Sequence, residues 1–332
     1  MARYFLTGGR QRVSTLFRRE EWTSFDRAVL ATLDDQTGKV EVVFQYEGPP
    51  ERVPAVDPSH LFKSASWDGD RLLLCTQTEV LVFDPARGVV ERTISHPCFN
   101  DVHHVARVNG RIHVVSTGLD AVVVLDDEGE VASVQSVTGT PTWSRFDPAV
   151  DYRRVATTKP HQAHPNFVQE AHGRTWVTRF EQRDAWPVDG GESVLLADRP
   201  VHDGVLAEGR CWFTAVSGEV VVTDPVTSSV VSRHNLDSIP REGNAPLGWC
   251  RGLLVEPERV LVGFSRLRPT KFVQNLAWLR APLDRPEPLP SRVSAYDRGF
   301  SREVARWSVE EAGMSAVFSV LPGEGERQSS PL

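Results

Sequence analysis

The chain has 332 residues, 37 Lys and Arg against 44 Asp and Glu, a formal net charge of −7, and 40% apolar residues. The charges are well mixed and form no basic stripe, which argues against a nucleic-acid partner; the apolar share is enough for a sizeable core. No long apolar span occurs, and "MARYFLTGGRQRV" lacks the apolar stretch of a signal peptide, so a cytoplasmic protein with no membrane partner is expected.

In chain order, "ARYFLTG" reads as a strand, and residues 14–28 hold one or two turns of helix. Two phrases then alternate. The first is an apolar strand, an Asp-containing tight turn and a second strand. Its copies are "AVLATLDDQTGKVEVVFQ", "EVLVFDPARGVVERTI", "AVVVLDDEGEVASVQSV", "DAWPVDGGESVLLA", "EVVVTDPVTSSVVSRHNL" and "VSAYDRGFSREVARWSV". The Asp can accept bonds from its own turn, and Gly supplies positive φ. The second phrase is a short strand, a turn ending in Arg, and a longer strand. Its copies are "LFKSASWDGDRLLLCTQ", "DVHHVARVNGRIHVVST", "HPNFVQEAHGRTWVTRF", "PVHDGVLAEGRCWFTAV" and "WCRGLLVEPERVLVGFS".

Together the two phrases make a four-stranded meander of roughly 40 residues, the unit of a propeller blade. Six outer hairpins against five inner ones leave one blade to be completed by "ARYFLTG" and the C-terminal "MSAVFSVLP". The expectation is therefore an all-β, six-bladed β-propeller over residues 1–325, its first blade closed by the N- and C-terminal strands, with 326–332 as a flexible tail. A β-sandwich of many hairpins is the competing architecture. Residues 138–163 and 266–290 exceed the blade pattern and are read as segments that cover the channel face. Cys75, Cys98, Cys211 and Cys250 are widely spaced, without a CxxC pair, and are expected as buried thiols.

The first strand of each blade lines the channel of a propeller. Counting eight residues back from Arg71, Arg111, Arg174, Arg210 and Arg259 reaches Lys63, His103, Asn166, His202 and Arg251. Ten back, where the copies allow it, adds Asp101, His164 and Trp249. A period of two keeps both sets on one face and sends His104 between blades.

Three readings of this constellation are open. His103, His164 and His202 could bind one divalent transition metal (Zn, Fe, Mn or Cu), with Asp101 or Asn166 as base or orienting group and Lys63 and Arg251 on an anionic small-molecule substrate. The histidines could instead work as acid–base groups without metal, as in an isomerase. Or the residues are polar linings of a water-filled channel in a non-catalytic propeller that binds a ligand or a protein. The leading expectation is the first, an enzyme of lyase, isomerase or hydrolase type, with a biosynthetic role. His161, on the long segment, is a minor candidate to reach the channel from above.

"FNDVHHVARVNGRIHVV", "HPNFVQEAHGRTWVT", "VHDGVLAEGRCWFTA", "GWCRGLLVEPERVLVGFSRLR" and "VEEAGMSAVFSVLPG" together resemble, in order, the blocks of a conserved bacterial family of unknown function. The resemblance covers residues 60–325. It implies a propeller-like fold, little about activity, and polar positions at Asn100, Asp101, His103, His164, Asn166, His202 and Arg251. Phe167, Asp203-Gly204 and Trp249-Cys250 depart from that family's pattern, which implies a different substrate at the rim.

Overall fold

The computed structural model describes residues 3–12, 24–241, 245–266 and 288–323. Six antiparallel four-stranded sheets form a ring of six blades, so the propeller expectation holds and the sandwich does not. Blade 1 runs, from the axis outward, Ala316–Pro322, Arg3–Gln11, Phe25–Asp34 and Val40–Tyr46. The C-terminal strand is thus innermost, and the N-terminal strand lies between it and the rest of the blade. The other innermost strands are Ser64–Asp68, Val102–Val108, Pro165–Ala171, Val201–Ala207 and Trp249–Val255, opening blades 2 to 6. Residues 25–28, placed in a helix by the sequence reading, begin a strand instead. Residues 14–23 of that expected helix, most of the 266–290 excursion and the 326–332 tail fall outside the described residues.

The Asp-turn mechanism operates in five of the six outer hairpins. Asp34, Asp84, Asp126, Asp224 and Asp297 accept backbone N–H bonds from Thr37, Arg87, Glu130, Val226 and Ser301, at 2.7–3.0 Å. The blade 4 hairpin differs. Asp184, at the start of the hairpin and not in its turn, is paired with Arg179, and the outermost strand is only Val194–Leu195.

Apolar clusters fill the junctions between blades. Leu73, Cys75 and Val80 of blade 2 meet Val105, Val114 and Val123 of blade 3. Tyr4, Leu6 and Val317 of blade 1 meet Leu261, Val293 and Ala295 of blade 6. The junction between blades 3 and 4 is filled by smaller groups, chiefly Val108, Val115, Val122, Val168 and Val177. Polar bonds there supplement the packing. His104 Nδ1 accepts from Val168 N at 3.4 Å, and Thr117 Oγ1 donates to Pro165 O at 2.5 Å. All four cysteines are free and buried, as expected. No helix among the described residues is long and apolar enough to cross a membrane.

Candidate functional site

The innermost strands carry a shared irregularity at their channel-mouth ends. In blades 1, 3, 4, 5 and 6 the pairing of the innermost strand with its neighbour slips by one residue. The slips fall between Val317 and Ser319, Val102 and His104, Pro165 and Phe167, Val201 and Gly204, and Cys250 and Leu253. A β-bulge leaves one residue out of the ladder and re-aims its side chain. His103, Asn166, His202 and Arg251 all lie within these bulges, so their direction is not set by plain strand alternation. Asp101 and His164, just before their strands, have left-handed backbones, with φ of 52° and 51°. Such a conformation costs a non-glycine residue energy and persists where surrounding contacts enforce it.

A cavity of about 780 Å³ opens at this end of the channel. Lys63, Asp101, His103, His164, His202, Trp249 and Arg251 all line it, together with residues 156–161 of the long segment. The expectation that 138–163 reaches the channel face is met through those six residues. Asn166 is not brought to the cavity. It is buried, and its Nδ2 donates to Val201 O of the next blade at 3.1 Å, so it closes a blade junction. His104 lies between blades 3 and 4 as alternation requires, its ring 4.3 Å from that of Phe167, and burial pushes its pKa down to about 3.

The ionic contacts define the chemistry. Lys63 Nζ bonds the Asp101 carboxylate and lies 3.4 Å from His103 Nε2. His103 Nδ1 is 2.8 Å from Asp101 O. A carbonyl only accepts, so Nδ1 carries the proton and the neutral ring turns its Nε2 lone pair toward Lys63. Burial, and next the Lys63 ammonium, hold His103 well below the ordinary imidazole range. Burial, and next Arg251, do the same to His202. For Asp101, burial is the largest single influence and opposes ionisation, but Lys63, His103 and His164 together outweigh it and keep the carboxyl well below the usual range. The Arg251 guanidinium lies over the Phe318 ring, 4.2 Å from its centre.

The three imidazoles gather, with ring centres 5.1 Å (His103–His164) and 5.9 Å (His103–His202) apart. The metal centre expected from the sequence gains no support from their arrangement. No group of three or more His, Cys, Asp or Glu among the described residues is arranged to hold a metal ion. The donor set gives the reason. The ammonium of Lys63 faces the one acceptor nitrogen of His103 and also takes up Asp101, so a divalent cation bound there would meet a fixed positive charge.

Sequence reasoning misses Asp120 and gives His161 little weight. Asp120 accepts from the backbone N–H groups of Gln162, Ala163 and His164 at 2.7–2.9 Å and pairs with Arg145 at 2.5 Å. Its three backbone partners lie 42 to 44 residues away and are main-chain groups, which leave no pattern of side chains to read. His161 Nδ1 stands 2.9 Å from His164 Nδ1. The one available sequence signal was a histidine three residues before His164 on a segment already expected to cover the channel.

No protein-family model matches the chain, and no curated protein matches it. Among solved structures, a chain of the nidogen/laminin complex is similar at a TM-score of 0.57 and 10% identity, covering 96% of this chain and 97% of its own. A chain of the mitotic checkpoint complex is similar at a TM-score of 0.48 and 9% identity, covering 91% and 80%. At such identity the nidogen/laminin likeness shows the propeller fold alone, and the resemblance to a bacterial family stays at the quoted blocks.

Proposed function

We propose that the cavity is a metal-free acid–base site for an anionic small molecule, with chemistry of the isomerase or lyase type. The observation that carries this reading is the placement of the Lys63 ammonium against the lone pair of His103 beside two further histidines and Arg251. Lys63 and Arg251 would hold a carboxylate or phosphate. His103 Nε2 would take a proton from a carbon or oxygen of the bound molecule, and His202 would return one.

Ligand charge would couple binding to basicity. Burial, and next the two cations, hold His103 and His202 neutral and weakly basic. A bound anion offsets those positive charges, so both rings become better proton acceptors only when a substrate is in place. Asp101 pairs its carboxylate with Lys63 and fixes the His103 ring through its own carbonyl.

The test is a thermal-shift panel of small carboxylates and phosphates. A ligand at about 100 times its Kd should add about 2.7 kcal/mol, a rise of roughly 4 °C for a chain of this size. Lys63→Met and Arg251→Met should each weaken binding at least about tenfold, the scale of one lost charge-assisted bond. The bound ligand should exchange a C–H proton with solvent deuterium in the wild type and not in His103→Gln. Stoichiometric Zn, Fe, Mn or Cu in the purified protein, lost in His103→Ala, His164→Ala and His202→Ala, would overturn the metal-free reading. A panel that shifts nothing would overturn the anion site.

A further inference from the structure

We propose that His161 is the proton acceptor behind His164, and that Asp120 is the positioning residue that holds the two rings together. The inference rests on the reading of the cavity as an acid–base site and deepens it. Its geometry, however, stands on contacts outside the Lys63–His103 cluster.

The tautomers follow from the partners. Thr158 has one hydroxyl proton, and its Oγ1 lies 2.5 Å from Gly118 O, which can only accept. Toward His161 Nε2, 3.4 Å away, Thr158 therefore acts as the acceptor, and His161 Nε2 carries hydrogen. Neutral His161 then presents a lone pair at Nδ1. That atom is 2.9 Å from His164 Nδ1, so His164 donates its Nδ1 proton there. This makes Nε2 the basic nitrogen of His164, on a ring packed edge-on to His103.

A proton arriving at His164 Nε2 can be matched by transfer of the Nδ1 proton to His161 Nδ1. His164 is then neutral again, with hydrogen on Nε2, and His161 is the imidazolium, its Nε2–H still directed at Thr158. No other group changes charge, and the reverse transfer restores the starting state. Asp101 and Asp120 favour the charged form of His161, whereas burial, Lys159 and Lys63 oppose it. Burial is the largest influence and holds His161 below its ordinary range, so the proton is handed back and not stored.

The dyad needs an external hold, because His164 has a left-handed backbone (φ 51°) at the end of an irregular segment. Asp120 provides it. One carboxylate takes three successive N–H groups, the last being that of His164 at 2.7 Å. Arg145 bonds the same carboxylate and Pro160 O, which ties the start of the segment to its end.

Nitrogen-15 NMR of the histidine rings in the full-length protein tests this without any substrate. In the wild type, His164 should show a protonated Nδ1 and a lone-pair Nε2, and His161 the opposite. A scalar coupling between the two Nδ1 nuclei across the N–H···N bond should be visible. Thr158→Val should scramble both tautomers, and Asp120→Ala should abolish the coupling while the His104 ring signals stay in place. A wild-type His164 protonated at Nε2, or no internitrogen coupling, would overturn the proposal even where a variant fails to fold. A cavity that binds no anion yet shows the coupling would sink the proposed function and leave the dyad standing.

Discussion

Acidification from pH 7 to pH 5 is expected to destabilise this protein by roughly 3 kcal/mol. The cause is a set of histidines buried neutral. His103, His104 and His202 have folded pKa values below the unfolded value of about 6.5, His104 at about 3. Between those limits the unfolded chain binds protons that the folded chain refuses. Stability therefore falls as pH falls, by up to about 1.4 kcal/mol per unit for each ring. Asp203 acts in the opposite sense. Burial raises it to about 7, so the folded state binds its proton more readily and gains stability as pH falls from 7 toward 4. Burial also lowers His60, His113, His161 and His234, so the histidines together outweigh that one carboxyl and leave the net loss stated above. At about 2.1 cal/mol/K of unfolding entropy per residue this lowers the melting temperature by roughly 4 °C. His104→Gln keeps an acceptor for Val168 N and removes one titrating ring, so proton uptake on unfolding near pH 5.5 should drop by about one. Melting temperatures from pH 7 to 5, with and without that substitution, check this. Equal slopes in the two proteins would assign the acid sensitivity elsewhere.

Gly8→Val should cost about 3 kcal/mol or more, in the range reserved for steric damage to a core. Gly8 lies where the N-terminal strand pairs with the C-terminal one, at the register slip between Thr7 and Gly8. A Cβ there would stand 1.9 Å from Ala316 O and 2.9 Å from Met314 Cε. The obstacle is backbone, so it cannot move aside without breaking the pairing that closes the ring. The loss should appear first as faster hydrogen exchange along Ala316–Pro322, whose innermost position depends on Arg3–Gln11 alone within its sheet. Gly299→Ala is the control, since nothing lies within 4 Å of its added carbon and its φ is not positive. That change should stay within about 0.5 kcal/mol. Equal denaturation midpoints for the two variants would remove ring closure as a determinant of stability.

Closure and the site depend on the same feature of the blades. The slips in the innermost strands let short polar side chains bond the neighbouring blade, as Asn166 does with Val201 O, and let longer ones turn to the cavity. Lys63, His103, His202 and Arg251 could be identified from the sequence because each sits at a constant distance from the Arg of the following turn. Asn166 shares that distance, but its side chain ends at the blade junction. Register thus located the ring of positions, while side-chain length and bulge geometry chose which of them reach the cavity. The expected metal centre lacks support for a related reason. His103 and His202 share one register position and His164 lies two residues earlier in its own copy, which implies convergence, but sequence spacing carries no information on where Lys63 and Asp101 direct their charges.

The sequence by itself determined the architecture. A strand alternates its faces every two residues, and an Asp-rich tight turn reverses it locally, so hairpins, their order and the need for the termini to complete a blade are written in short-range chemistry. The Asp34, Asp84, Asp126, Asp224 and Asp297 turns form on that basis alone. Only the tertiary structure decided the site's electrostatics. Lys63 meets His103 across 40 residues, and Asp120 meets His164 across 44. Those contacts join different blades or a blade and a covering segment, and their energy depends on distance and burial, which no local pattern of residues encodes.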